Sequence, residues 1–209
     1  MTATQAAQMS GLRAPASDAA FAHPGLGMPS PWCVRWLERT RTAPSPTLLD
    51  VASGSGRHAR WAATQGYEVT ALDRDPEALA QLSAAAPAVQ TQVVDLESGP
   101  WPLEERRFDV VLCTNYLYRP RLDRLVQWLA PGGRLVYETF AQGNERFGRP
   151  FNPDYLLVAG ELLDLARRHK LHVLAYEDGV VQTPRPARLQ RLVALFRSQN
   201  EPCDDTILL

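Results

Sequence analysis

The chain has 209 residues, 45% of them hydrophobic and 22% charged, with a formal net charge of -1. This is the balance of one ordinary globular domain with a substantial core. It shows no basic excess of the kind that phosphate neutralisation demands of a nucleic-acid binder, and no apolar run long enough for a bilayer.

Residues 1–28 lack a sustained period and any apolar signal-peptide core, so they read as a flexible lead-in without a secretory signal. Ser30 and Pro31 look like an N-cap and a first-turn proline, opening a helix from Trp32 to Arg41. From Thr47 the chain alternates strand and helix. Strands are expected at Thr47–Ala52, Tyr67–Leu72, Thr91–Val94, Phe108–Thr114 and Arg134–Phe140. Helices are expected at His58–Gln65, after the Asp75 and Pro76 cap, from Pro120, and at Gly160–His169. In the Pro120 helix, Leu122, Leu125, Val126 and Leu129 take helical spacing, and Pro131-Gly132-Gly133 stops it. Leu171–Tyr176 and Leu189–Phe196 have no helix between them. They are expected to pair antiparallel at one edge, joined by a loop over Asp178–Ala187. The order predicts an α/β domain over residues 29–200, mostly parallel, with helices on both faces and a tail at 201–209. Cys33, Cys113 and Cys203 are odd in number and far apart, which favours reduced thiols and a cytoplasmic protein. The histidines take no zinc-type spacing with them, so no metal is expected.

The chemistry concentrates where strands end. The first strand runs into Asp50-Val51-Ala52-Ser53-Gly54-Ser55-Gly56. Such a glycine-rich turn lets a ligand approach the backbone. Gly54 to Ala59 alone also fits a dinucleotide fingerprint, and Asp73 is correctly spaced for either cofactor. Asp50 separates the two, because a carboxylate there opposes a pyrophosphate and suits a cofactor bearing an ammonium and a sulfonium. Asp73 can accept from both hydroxyls of a ribose. Asp95 can accept from the adenine amino group.

These segments, with Ala71-Leu72-Asp73, Val94-Asp95-Leu96 and Leu129 to Leu135, resemble the successive motifs of class I S-adenosylmethionine (SAM)-dependent methyltransferases. The resemblance implies a Rossmann-like, seven-stranded sheet in the order 3-2-1-4-5-7-6 with an antiparallel last strand. It implies cofactor contacts from Asp50, Ala52, Gly54, Gly56, Asp73, Asp95, Leu96 and Asn115. Ala52 departs from the glycine usual there. Within the class, Gly54 to His58 and Pro153 to Leu163 are similar to small bacterial methyltransferases of the tellurite-resistance type. The stretch from Gln182 to Pro186 differs from theirs.

Thr114-Asn115-Tyr116-Leu117-Tyr118 lacks the Asn-Pro-Pro-Tyr pattern of adenine or glutamine amino-group methylation. Cys113 lacks the neighbouring proline of cytosine-C5 enzymes and reads as core. Tyr116, Tyr118 and Glu138 are the candidate catalytic residues, with Phe140 beside them. The tyrosines would stack on or shield the reacting group, and Glu138 would orient or deprotonate the nucleophile. Arg146, Arg149 and Arg185 are candidates for holding an anionic acceptor, and Ala141–Pro153 is a candidate lid. The expected partner is a small-molecule acceptor. The alternatives are a nucleic-acid or protein methyltransferase, a non-catalytic SAM-binding protein and an NAD-dependent oxidoreductase.

Overall fold

The computed structural model describes residues 27–39 and 44–197. The lead-in up to residue 26, the helix end expected at Arg41 and the tail at 201–209 lie outside the described residues. The elements are α1 (Pro31–Arg39), β1 (Thr47–Val51), α2 (Arg57–Thr64), β2 (Glu68–Asp73), α3 (Pro76–Ala85), β3 (Gln90–Val93), β4 (Phe108–Thr114), a 3₁₀ helix (Arg119–Trp128), β5 (Leu129–Phe140), α4 (Glu161–Arg168), β6 (His172–Val181) and β7 (Ala187–Leu195). They form one seven-stranded sheet in the order β3-β2-β1-β4-β5-β7-β6. The first five strands pair in parallel, and β7 runs antiparallel to both β5 and β6.

β1 and β4 are central and almost wholly buried, as near-continuous runs of β-branched and leucine side chains require of parallel strands covered on both faces. One face packs Leu48, Leu112 and Val136 under α1 to α3, with Trp36, Leu37 and Leu82. The other packs Leu49, Tyr137 and Leu192 under the 3₁₀ helix and α4, with Trp128 and Leu162. α3 opens as expected: Asp75 accepts from the Glu77 and Ala78 amides, with Pro76 in the first turn. α4 places Glu161 and Asp164 in its first turn and Arg167 and Arg168 in its last, in line with its dipole.

Three expectations are corrected. The segment from Pro120 is a 3₁₀ helix. Three residues per turn align Leu122, Leu125 and Trp128 on one buried face, and Trp128 then stacks on Trp101 at 4.2 Å. β5 starts at Leu129, with the Pro-Gly-Gly segment as an irregularity: Phe108 pairs with Leu129, whereas Val110 already pairs with Arg134. A side chain at Gly133 would meet the carbonyl oxygens of Ala130 and Phe108 at 2.8 Å. The β6–β7 connection is shorter than Asp178–Ala187, because Asp178 to Val181 remain paired with Gln190 to Ala187. The diagonal ion pair from Arg188 Nη2 to Asp178 Oδ1, 2.7 Å, sits on this extension. No helix among the described residues is long and apolar enough to cross a membrane.

Candidate functional site

Parallel strands deliver their carboxyl ends to one edge of the sheet, and the acids lie along that edge. After β1 the backbone turns left-handed three times, at Ala52 (φ 55°), Gly54 (φ 55°) and Gly56 (φ 73°). The two glycines serve different ends. A methyl group on Gly56 would sit 2.5 Å from Leu82 Cδ1, so this glycine lets the turn pack on α3. A methyl on Gly54 would meet nothing within 4 Å, so this glycine leaves open space above the turn. Ala52 holds a conformation that suits glycine. Ala52→Gly is expected to raise stability by about 1 kcal/mol, checked by urea denaturation.

Asp73, at the end of β2, reaches this turn. Its Oδ2 accepts from the Gly54 amide at 2.6 Å and its Oδ1 from the Asp75 amide at 2.9 Å. Asp50 lies underneath and is completely buried. Its Oδ2 accepts from the Ala59 amide at 3.1 Å, while its Oδ1 has no partner. Burial pushes its carboxyl up to about 7, against the lowering effects of the Ala59 hydrogen bond and the Arg57 charge. A buried carboxylate with one unpartnered oxygen beneath a glycine turn is suited to a cation.

Asp95 is exposed and held by the Glu97 amide and the Ser98 hydroxyl, which with Arg74 lower its pKa. Leu96, beside it, is buried against the core. Tyr116 lies close by: burial raises its hydroxyl pKa, and the charges of Glu97 and Asp95 add to this, as does Tyr118. Asn115 is exposed at positive φ and its amide donates to Glu138 O at 2.9 Å. The structure therefore brings Asp50 and Asp73 together at the glycine turn, and Asp95, Tyr116 and Tyr118 together beside it.

Glu138 stands apart from that group. It is buried and faces α1, accepting from Ser30 Oγ at 2.9 Å and from Arg191 Nε at 2.7 Å. Its neighbour Tyr137 points to the opposite face, where its hydroxyl donates to Tyr116 O at 2.7 Å. Arg191 also reaches Glu177 and lies over the Trp32 ring. Sequence reading missed Arg191. It stands opposite Glu138 in the β5–β7 register, so only the register exposes the pair. His58 is buried. Its Nε2 accepts from the Ser30 amide at 3.0 Å, and burial lowers its pKa to about 3, so it is a neutral link between α1 and β4. Cys113 is buried in β4.

The expected lid is built around Asn144, whose side chain spans the Gly148 and Pro150 carbonyls and the Arg188 amide. Farther on, Arg119 bonds Glu161 twice and the carbonyls of Asp154 and Leu156. Arg146, Arg149 and Arg185 are exposed. Among the described residues no group of three or more acidic, histidine or cysteine side chains is arranged to hold a metal ion.

Comparison with known proteins bears on the fold. Residues 48–133 match the family described as a methyltransferase domain. Over 86 residues the chain is 38% identical to uncharacterized proteins of Mycobacterium bovis and Mycobacterium tuberculosis, covering 40% of this chain and 31% of theirs. Among solved structures it is similar to TehB from Haemophilus influenzae, with a TM-score of 0.65 and 15% identity, over 78% of this chain and 62% of that one. A TehB-like SAM-dependent methyltransferase from Corynebacterium glutamicum gives 0.60 and 20%, over 80% and 89%. Magnesium protoporphyrin IX methyltransferase from Synechocystis, solved with S-adenosylhomocysteine (SAH) bound, gives 0.63 and 16%, over 79% and 80%.

The protein thus has the fold seen in SAM-dependent methyltransferases, and residues 48–133 are similar to the methyltransferase-domain family. Within that class it resembles TehB and the TehB-like proteins. The chain spans only about a third of the length of the mycobacterial relatives it matches.

Proposed function

We propose that the protein transfers the methyl group of SAM to a small-molecule acceptor. The observation that carries this is the pairing of the open space at Gly54 with the unpartnered buried oxygen of Asp50. SAM, when bound, supplies a methyl group on a positively charged sulfur. Asp50 would balance positive charge at the turn, and a pyrophosphate would be repelled there. Asp73 still has lone pairs for two ribose hydroxyls beyond its backbone bonds. Asp95 would accept from the adenine amino group, with Leu96 and Asn115 bordering the ring.

Tyr116 and Tyr118 would form the wall between cofactor and acceptor, excluding water and aligning the acceptor atom. Glu138 is committed to Arg191 and Ser30, so its role is better described as anchoring α1 beside the site than as taking a proton. A base is required only for an acceptor that arrives protonated.

Calorimetry tests the cofactor: SAH is expected to bind and NAD is not. Asp73→Ala is expected to weaken SAH by about 1–3 kcal/mol, since it strips hydrogen bonds to a charged acceptor. Tight NAD binding with silence toward SAH would overturn the reading. The net charge of -1 supports a small acceptor over a nucleic acid. Salt-sensitive gel shifts on tRNA coupled to methyl transfer would reverse that choice.

A further inference from the structure

Beside the end of β5 lies a cleft of about 290 Å³ that none of these roles uses. Topology places it at the cofactor edge. β7 runs antiparallel to β5, so its first residues sit where β5 ends, and Gln190 pairs with Thr139. Asn115 at the end of β4 is joined to the adjacent Glu138. The cleft is therefore two strand spacings, roughly 10 Å, from the end of β4.

Its polar lining is Gln142, Arg146, Asp178, Arg188 and Gln190, and its apolar wall is Ala141, Leu157 and Ala159. Arg188 is paired with Asp178 at 2.7 Å. Arg146 donates from Nε to Gly143 O at 3.3 Å and joins no ion pair among the described residues. The nearby Glu145 carboxylate is turned to the Gly143 amide. Two guanidinium groups against one carboxylate leave the lining one positive charge in excess. Gln190 forms the floor: its Nε2 donates to Val158 O at 2.6 Å, and its buried Oε1 has no partner. Buried acceptors are nearly always satisfied, so this one calls for a donor.

We propose that the cleft binds the anionic end of the methyl acceptor, and that the acceptor is a compact carboxylate with an N–H or O–H donor beside it. This rests on the methyl-transfer reading above. The carboxylate meets Arg146 and the outer edge of Arg188, the donor meets Gln190 Oε1, and the stem lies on Ala141, Leu157 and Ala159. The other end of the molecule then points along the sheet edge toward Tyr116 and Asn115. Arg188 gave no signal in the sequence, since its place depends on β6 and β7 extending past the rest of the sheet.

The test uses the full chain saturated with SAH and three probes of similar size: mandelate, phenylacetate, which lacks the hydroxyl, and 2-phenylethanol, which lacks the carboxylate. Titrations followed by nuclear magnetic resonance should rank mandelate above phenylacetate, with 2-phenylethanol silent. Arg146→Met should weaken mandelate by about tenfold, the scale of one charge-assisted hydrogen bond, and leave SAH affinity unchanged. Gln190→Leu should erase the difference between mandelate and phenylacetate. Absence of saturable mandelate binding in the millimolar range, or equal binding by Arg146→Met, would overturn the proposal. If mandelate requires Arg146 but SAH does not bind, the cleft's ligand class stands and the methyl-transfer reading falls.

Discussion

Asp50→Asn is expected to make the protein more stable and a poorer cofactor binder at once. The folded state holds the Asp50 proton to about pH 7, against an ordinary value of 3.8. A raised carboxyl pKa counts against the fold. The cost is absent below pH 4, grows as pH rises toward 7 and is complete above 7. Asparagine keeps an acceptor for the Ala59 amide and carries no charge. Thermal unfolding at pH 8 should therefore show a gain of about 1–4 kcal/mol, shrinking as pH falls to 4. SAH affinity should fall by about ten- to a hundredfold, because the variant cannot answer the ammonium group. In the parent protein the ligand's ammonium group favours the ionised form, so SAH affinity should rise as pH climbs through 7. The variant should lose that slope. A stability gain with unchanged SAH affinity would reduce Asp50 to loop support.

The two glycines give the second large effect, through a contrast. Gly56→Ala forces a methyl group into Leu82, which is wholly buried, at a backbone angle that disfavours any side chain. Its stability should drop by about 2–4 kcal/mol, as overpacking and left-handed strain add. Gly54→Ala meets open space, so only the strain remains, about 1 kcal/mol. Its methyl group, however, fills space that a ligand would take. Urea denaturation and SAH calorimetry on the pair should show Gly56→Ala failing mainly in stability and Gly54→Ala mainly in binding. Equal losses of SAH affinity per unit of lost stability would remove Gly54 from the site.

The parallel half of the fold was legible because local chemistry announces it. Asp75-Pro76 caps α3, glycine closes the first strand, and Leu49, Val51 and Val111 sit in runs that only buried strands tolerate. The seven-strand order came from the resemblance of the motifs, and the sheet follows it. The 3₁₀ helix escapes sequence reading because the Leu122–Leu125 spacing satisfies both helical periods, and Val126 and Leu129 extend it only in the wider one, whereas Trp128 extends it in the tighter. The strand-end acids were legible as a series. What Glu138 faces was not, because the answer lies in Ser30 and Arg191, 108 residues before it and 53 after it. Sequence spacing carries no record of such long-range partners.

The interior position of β7 bears on how the chain is made. Synthesis delivers β5, then β6, and only then the strand that must lie between them. Until β7 arrives, β5 and β6 present unpaired backbone edges, and the Glu138 carboxylate waits for Arg191 beside a helix that emerged long before. β7, made after both of its neighbours, is thus a wedge that closes the sheet from within and brings Arg191 to the buried Glu138 charge.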